Sequence, residues 1–221
     1  MKIASHNSYS YLPVRRWWMK PIAFTARCQR LNITKQFMCG VRLFDIRVRF
    51  DKKGRPYLCH GLIEYDYDPH WILKSLSILG YHQRVYVRMV LETRKPDEWQ
   101  EMQFRNYCEL LELNYSNITF FGGNNRTDWE CKHPIYDFKN PLPDIKHSYA
   151  SATTRFPKGW KWLRHIDDLY PLGYARKYNK KNTKNLSAFF GEQHEWLMLD
   201  FVDIQWNAYD DVKQFKKHIY D

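Results

Sequence analysis

Two histidines, an arginine and an aspartate have the types and spacing for work on a phosphodiester. His6 lies in Ser5-His6-Asn7-Ser8 and His60 in Cys59-His60-Gly61, each where a short apolar run ends. Between them the run from Gly40 to Phe50 carries Asp45 and Arg47. One imidazole can take the proton of an attacking alcohol while another protonates the leaving oxygen, because imidazole titrates near neutrality. Charge building on phosphorus needs a fixed cation, and the planar fork of Arg47 matches phosphate oxygens. Asp45 beside it can orient Arg47 and keep His60 protonated. The competing reading of an isolated Asp-x-Arg is a structural salt bridge, and that of a lone histidine at a strand end is structural too. Two histidines flanking the pair favour a site.

These side chains need elements to hold them. Gly40 to Phe50 reads as a strand, rich in β-branched and aromatic residues. Alternation puts Leu43, Asp45 and Arg47 on one face and Phe44, Ile46 and Val48 on the other, the latter packing against helices. Residues 2–6 form an opening strand. Asn32 is the N-cap of a helix through Met38, and Gly40 its stop. Asp51 to Gly54 is a turn before a short strand from Pro56 to Cys59 that presents His60. A helix with proline near its start spans Pro69 to Gly80. A strand from Val85 to Leu91 delivers Glu92. A helix runs from Pro96 to Leu113 with acids in its first turn. A strand covers Ile118 to Phe121 and closes on Gly122-Gly123-Asn124-Asn125. Residues 124–185 have weak periodicity: Trp160, Trp162 and Leu163 suggest a packed segment, and Lys177 to Lys184 a solvated loop. Trp196 to Phe201 is a late strand with Asp200 near its end, and Ala208 to Tyr220 a closing helix.

Strands alternating with helices predict an α/β fold with a largely parallel sheet over 1–221 as one domain. Polar residues recur at strand ends (His6, His60, Glu92 and Asp200), as they do in barrel active sites. Pattern alone leaves an open doubly wound sheet as a rival, although no glycine-rich phosphate loop is present.

The 221 residues are 44% hydrophobic, enough for one buried core, and carry a formal charge of +11. A basic chain attracts polyanions: nucleic acid, anionic membrane or phosphate substrates. No recognisable nucleic-acid motif is present. The five cysteines show no Cys-x-x-Cys pair, so neither a disulfide framework nor a zinc site is suggested. Residues 8–30 mix Tyr9, Tyr11, Trp17, Trp18, Met19 and Phe24 with Arg15, Arg16, Lys20, Arg27 and Arg30. That mixture suits a peripheral contact with anionic membrane, or else core. No apolar run could span a bilayer. Met1 leaves no room for a signal peptide ahead of His6, so the expected location is cytoplasmic, with secretion the alternative if a leader was removed.

The three motifs in this order resemble the X domain of phosphatidylinositol-specific phospholipase C. Ser5-His6-Asn7-Ser8 matches the first strand's His-Asn, Gly40 to Val48 the Gly-Val-Arg-x-x-Asp-x-Arg strand, and His60-Gly61 the third strand's end. The match is specific over residues 3–61. It implies a distorted TIM-type (β/α) barrel, complete or incomplete, that cleaves a phosphodiester through a cyclic phosphate. His6 would be the general base on the inositol 2-hydroxyl, His60 the general acid on the diacylglycerol oxygen, and Arg47 the phosphate's cation. Asn7 and Asp45 would complete the site and Asp200 orient the base. Calcium-dependent relatives place an acid where Arg47 stands, with ligands at positions like Asn7, Asp45 and Glu92. A guanidinium there repels a cation, so the resemblance implies catalysis without metal, a substrate contact being left for Asn7 and Glu92. Two alternatives compete: a glycerophosphodiester phosphodiesterase, which usually pairs His-Arg-Gly with Glu-x-Asp, and a non-catalytic barrel that binds lipid headgroups.

Overall fold

The computed structural model describes residues 2–126, 134–147, 171–173, 175, 176, 179 and 196–204. Strand β1 spans Lys2–Ser5, followed by a 3-10 helix, Trp17–Thr25, and helix α1, Ile33–Met38. Then come β2 (Val41–Phe50), β3 (Pro56–His60), β4 (Ile63–Glu64), α2 (Pro69–Gly80), β5 (Val85–Leu91), α3 (Glu98–Asn114) and β6 (Ile118–Asn125). Strands β7 (Ile145–His147) and β8 (Trp196–Leu199) complete the described elements, before a 3-10 turn at Val202–Ile204.

Local chemistry accounts for the boundaries. The Asn32 side chain accepts from Lys35 N–H and caps α1, and Gly40, at φ 88°, turns the chain into β2. Asp68 caps α2 ahead of Pro69, and Asp97 with Gln100 closes a capping box on α3.

β2 is the centre. It pairs in parallel with β1 on one edge and with β5 on the other, and β5 pairs with β6. β1 continues through β8 to β7, all parallel. The exception is β3, which runs antiparallel to the C-terminal end of β2 through Val48↔Leu58 and Phe50↔Pro56. His60 therefore reaches the site from the direction opposite to the other strand ends, which corrects the expectation of a common C-terminal rim.

Phe44, Ile46 and Val48 are fully buried in the main core, with Leu73 and Leu76 of α2 and Phe104 and Leu111 of α3. Each such side chain contributes about 1.5–3 kcal/mol on burial. The opposite face of the sheet carries a second cluster of Ala4, Leu43, Phe121, Trp196 and Met198. The Tyr86 ring on β5 lies 5.0 Å from Trp196 on β8. On a flat sheet those strands would be about 14 Å apart. The sheet is strongly curved, with a small apolar floor inside the curve.

Among the described residues this sheet stays open. β4, β6 and β7 each have one strand neighbour, and no pairing joins β6 to β7. The α/β reading holds, but the closed barrel does not form from these residues, since a strand between β6 and β7 would be needed. β6 also runs on through Gly122 and Gly123, which were expected to end it. A bulge opposite Met89/Val90 and positive φ angles of 89° and 82° carry the strand through. A Cβ at Gly123 would lie 1.9 Å from the Tyr136 carbonyl oxygen, so only glycine fits. Trp160, Trp162, Leu163, Ala208 to Tyr220 and, apart from Asn179, Lys177 to Lys184 lie outside the described residues.

Candidate active site

β1 covers the N-terminal half of one edge of β2, through Val41 to Phe44, and β3 covers its C-terminal end from Val48 onwards. The two strands point at each other, and the stretch Asp45 to Arg47 lies between their tips. His6 follows β1 and His60 ends β3, so their rings meet there, with centroids 5.7 Å apart and nearly perpendicular. The chain after His6 closes the gap. Asn7 takes a left-handed φ of 43°, its N–H donates to Asp45 Oδ2 at 3.1 Å, and Ser8 Oγ accepts from Asp45 N–H at 2.9 Å.

His6 is held from two sides. Nδ1 is 2.7 Å from Asp200 Oδ1, which follows β8. Nε2 faces two donors, Arg47 Nη2 at 2.7 Å and Asn7 Nδ2 at 2.9 Å. Donors at Nε2 and a carboxylate at Nδ1 select the neutral tautomer with the proton on Nδ1. Burial, reinforced by the Arg47 charge, holds the His6 pKa well below 6.5. An imidazole in that form carries a lone pair at Nε2 and can accept a proton there.

Arg47 bridges two carboxylates and is buried. Its Nε donates to Asp45 Oδ2 at 2.9 Å and its Nη1 to Glu92 Oε2 at 3.1 Å. Burial alone would weaken its charge, but Asp45 and Glu92 outweigh it and raise the pKa. Burial likewise pushes Asp45 up, and Arg47 and Arg88 overcome it, so the carboxyl stays ionised. Glu92, pushed up by burial, is held down to about 2 by Arg47, His60 and Arg126. Its other oxygen accepts from Gly61 N–H at 2.9 Å and pairs with Arg126 Nε at 3.3 Å.

His60 Nδ1 lies 3.0 Å from the Ala26 carbonyl oxygen, which makes Nδ1 the donor and turns Nε2 away. Burial and then Arg47 lower its pKa. The carboxylate that raises it is Glu92, rather than Asp45 as the sequence suggested. Asp45 approaches His6 instead, at 3.9 Å.

All seven residues singled out in the sequence, His6, Asn7, Asp45, Arg47, His60, Glu92 and Asp200, thus converge. Four further participants were not foreseen. Arg88, buried on β5, has Nη1 3.8 Å from Asp45 Oδ1. It is the one charge within Val85 to Leu91, on the Asp45 face of the sheet, and that was a legible signal. Arg126 at the rim had none. Nor did Cys28, 3.6 Å from Asn7 Nδ2 and 3.9 Å from His60 Nδ1, or Gln29. Gln29 Nε2 donates to the carbonyls of His6 at 3.1 Å and Leu199 at 2.8 Å, and its Oε1 accepts from Val202 N–H at 3.2 Å. It clamps the end of β1 to the end of β8, and so the base to its carboxylate.

No protein-family model matches the chain, and no curated protein does. Solved structures are similar. The phosphatidylinositol-specific phospholipase C of Staphylococcus aureus aligns at a TM-score of 0.57 with 16% identity, over 90% of this chain and 85% of that one. That of Listeria monocytogenes aligns at 0.55 with 14% identity, over 96% and 91%. At this identity the likeness concerns the path of the chain: this protein has an α/β fold similar to that of bacterial phosphatidylinositol-specific phospholipase C.

Proposed function

We propose that this chain is a phosphoric diester hydrolase or lyase of the phosphatidylinositol-specific phospholipase C type, working by two-histidine acid–base catalysis. The observation that carries this reading is the double hold on His6, Asp200 on Nδ1 and Arg47 on Nε2, with His60 facing it across 5.7 Å. The inositol 2-hydroxyl enters beside Nε2, gives up its proton to His6 and attacks phosphorus. Arg47 turns an N–H towards the phosphate oxygen on which charge grows. His60, in the protonated form that Glu92 favours against burial and Arg47, gives its proton from Nε2 to the leaving diacylglycerol oxygen. The product is a 1,2-cyclic inositol phosphate, and the base and acid return to their starting forms when water opens the ring or when they exchange protons with solvent.

Catalysis proceeds without calcium in this reading. A calcium ion bound by Asn7, Asp45 and Glu92 would need oxygens directed at one point. Here the Arg47 guanidinium lies between the two carboxylates and takes an oxygen of each, while Asn7 turns its amide nitrogen to His6. The guanidinium supplies the positive charge.

The substrate is met at a membrane surface. Trp17 and Trp18 are 79% and 50% exposed, Phe24 is exposed, and Arg15, Arg16 and Lys20 lie among them. Tyr9 and Met19, by contrast, are core. One end of this segment meets the site, where the Ala26 carbonyl holds His60, and the other is fastened to β4, where Arg15 N–H donates to the Glu64 carbonyl at 2.8 Å. Leu62, next to His60-Gly61, is 77% exposed. Among the described residues no helix is long and apolar enough to cross a membrane.

The test is release of water-soluble inositol phosphate from phosphatidylinositol vesicles. Wild type is expected to turn over, and His6→Ala and His60→Ala to lose about 100- to 10,000-fold. No release by wild type, or undiminished release by either variant, overturns the reading.

A further inference from the structure

Cys28 has no part in the reaction above, yet its sulfur lies inside the site. It is 1% exposed and lies beside the same Asp200 carboxylate that holds His6. A ring nitrogen of His6, the Cys28 sulfur and a carboxylate oxygen of Asp200 all lie within 4.8 Å of one another. Nitrogen, thiolate and carboxylate together are a ligand set for zinc or cadmium, and a poor one for calcium, which wants oxygen alone.

We propose that His6, Cys28 and Asp200 form an inhibitory site for a thiophilic divalent cation, zinc in the first place. The site shares no ligand with the Asn7, Asp45 and Glu92 set considered for calcium. The His6 Nδ1 proton now points at Asp200 and the Cys28 thiol donates to the Ala26 carbonyl at 3.7 Å, and the cation displaces both protons. The thiol proton leaves to solvent. The imidazole proton moves from Nδ1 to Nε2 as Nδ1 binds the cation. One thiolate, one carboxylate and one neutral imidazole then surround the divalent charge, with solvent or a fourth group completing the tetrahedron. The hydrogen bond from Arg47 to Nε2 is lost, and Nε2, now carrying a proton, has no lone pair for a substrate hydroxyl. Binding requires nothing of the proposed reaction; its consequence, inhibition, rests on the proposed function.

The experiment pairs direct binding with turnover. Purified metal-free protein is titrated with zinc by calorimetry and with cadmium by ultraviolet absorption, where a cadmium–thiolate charge-transfer band reports the sulfur. Cys28→Ser, Cys28→Ala and Cys39→Ser are measured alongside, Cys39 being a half-buried thiol outside the group of His6, Cys28 and Asp200. The expected result is one saturable zinc site in wild type and Cys39→Ser, release of about one proton per cation, and a cadmium–thiolate band. Both Cys28 variants should keep the wild-type circular dichroism, lose the band, and need at least about tenfold more zinc for half-saturation, a change of about 1.4 kcal/mol, with inhibition read against each variant's own metal-free rate. Zinc should inhibit wild type over its binding range, and the Cys28 variants only at those higher concentrations. No saturable zinc binding by wild type, or a band and affinity unchanged in folded Cys28→Ser, overturns the proposal. Saturable binding dependent on Cys28 in a protein without phosphodiester turnover would leave the metal site standing and remove the proposed function.

Discussion

His6 works only if its proton stays on Nδ1, and Asp200 holds it there while Arg47 and Asn7 hold donors at Nε2. An amide in place of the Asp200 carboxylate keeps the shape but can present N–H to Nδ1 and select the wrong tautomer. Asp200→Asn is therefore expected to lower kcat by about 100- to 10,000-fold with little change in KM. Steady-state kinetics on mixed micelles checks this, and unchanged kcat would contradict the role given to Asp200. The same burial sets a pH dependence of stability. Folding holds the pKa values of His6 and His60 below 6.5, so an unfolded chain takes up protons that the folded one refuses. Stability is then full above pH 6.5 and declines as pH falls below it. Glu92, at about 2 when folded against 4.5 unperturbed, adds a second loss as pH drops below about 4.5. Urea unfolding between pH 8 and about pH 3 is expected to show both, and a midpoint constant over that span would contradict the burial of these groups.

At the scale of elements, the site depends on how strand ends are fastened. Asp45 and Arg47 were readable because alternation along β2 assigns each side chain to a face, and the apolar face of Phe44, Ile46 and Val48 is buried as expected. The direction of β3 was not readable. Four turn residues, Asp51 to Gly54, permit a hairpin, but nothing in Pro56 to Cys59 distinguishes it from a strand reached by a crossover. Gln29 was not readable either, since it acts from a loop whose path only tertiary contacts decide. Its side chain serves three backbone groups of β1, β8 and the following turn. Gln29→Leu would leave those buried groups unpaired, each unsatisfied group costing about 1–3 kcal/mol. The expected outcome is a lower melting temperature together with a kcat reduced at least about tenfold at 20 °C below that melting point, because His6 and Asp200 lose their common anchor. A variant that melts lower but keeps full kcat would make Gln29 structural only.

For the whole molecule, the α/β class and most elements through Leu113 followed from periodicity and caps, whereas the 3-10 helix Trp17–Thr25, the two-residue β4 and closure of the sheet did not. Closure depends on pairing between strands distant in sequence, and weak periodicity in residues 124–185 offers no register. The curved sheet nonetheless places an apolar floor beneath the charged cluster, and the segment that ends at Ala26, the holder of His60, carries an exposed aromatic and cationic rim of Trp17, Trp18 and Phe24 with Arg16 and Lys20. That rim is expected to deliver the site to lipid: Trp17→Ala with Trp18→Ala should weaken binding to anionic vesicles by at least about tenfold. Hydrolysis of a soluble phosphodiester should be left intact, and equal losses on both substrates would contradict a membrane role. The central claim concerns the reaction itself, and phosphorus NMR of phosphatidylinositol in mixed micelles, with excess EDTA present, addresses it most directly. The expected result is a cyclic inositol phosphate signal that grows first and is unaffected by EDTA. A signal that appears only after excess calcium is added, or a linear monophosphate formed without the cyclic species, would contradict metal-free catalysis by His6, His60 and Arg47.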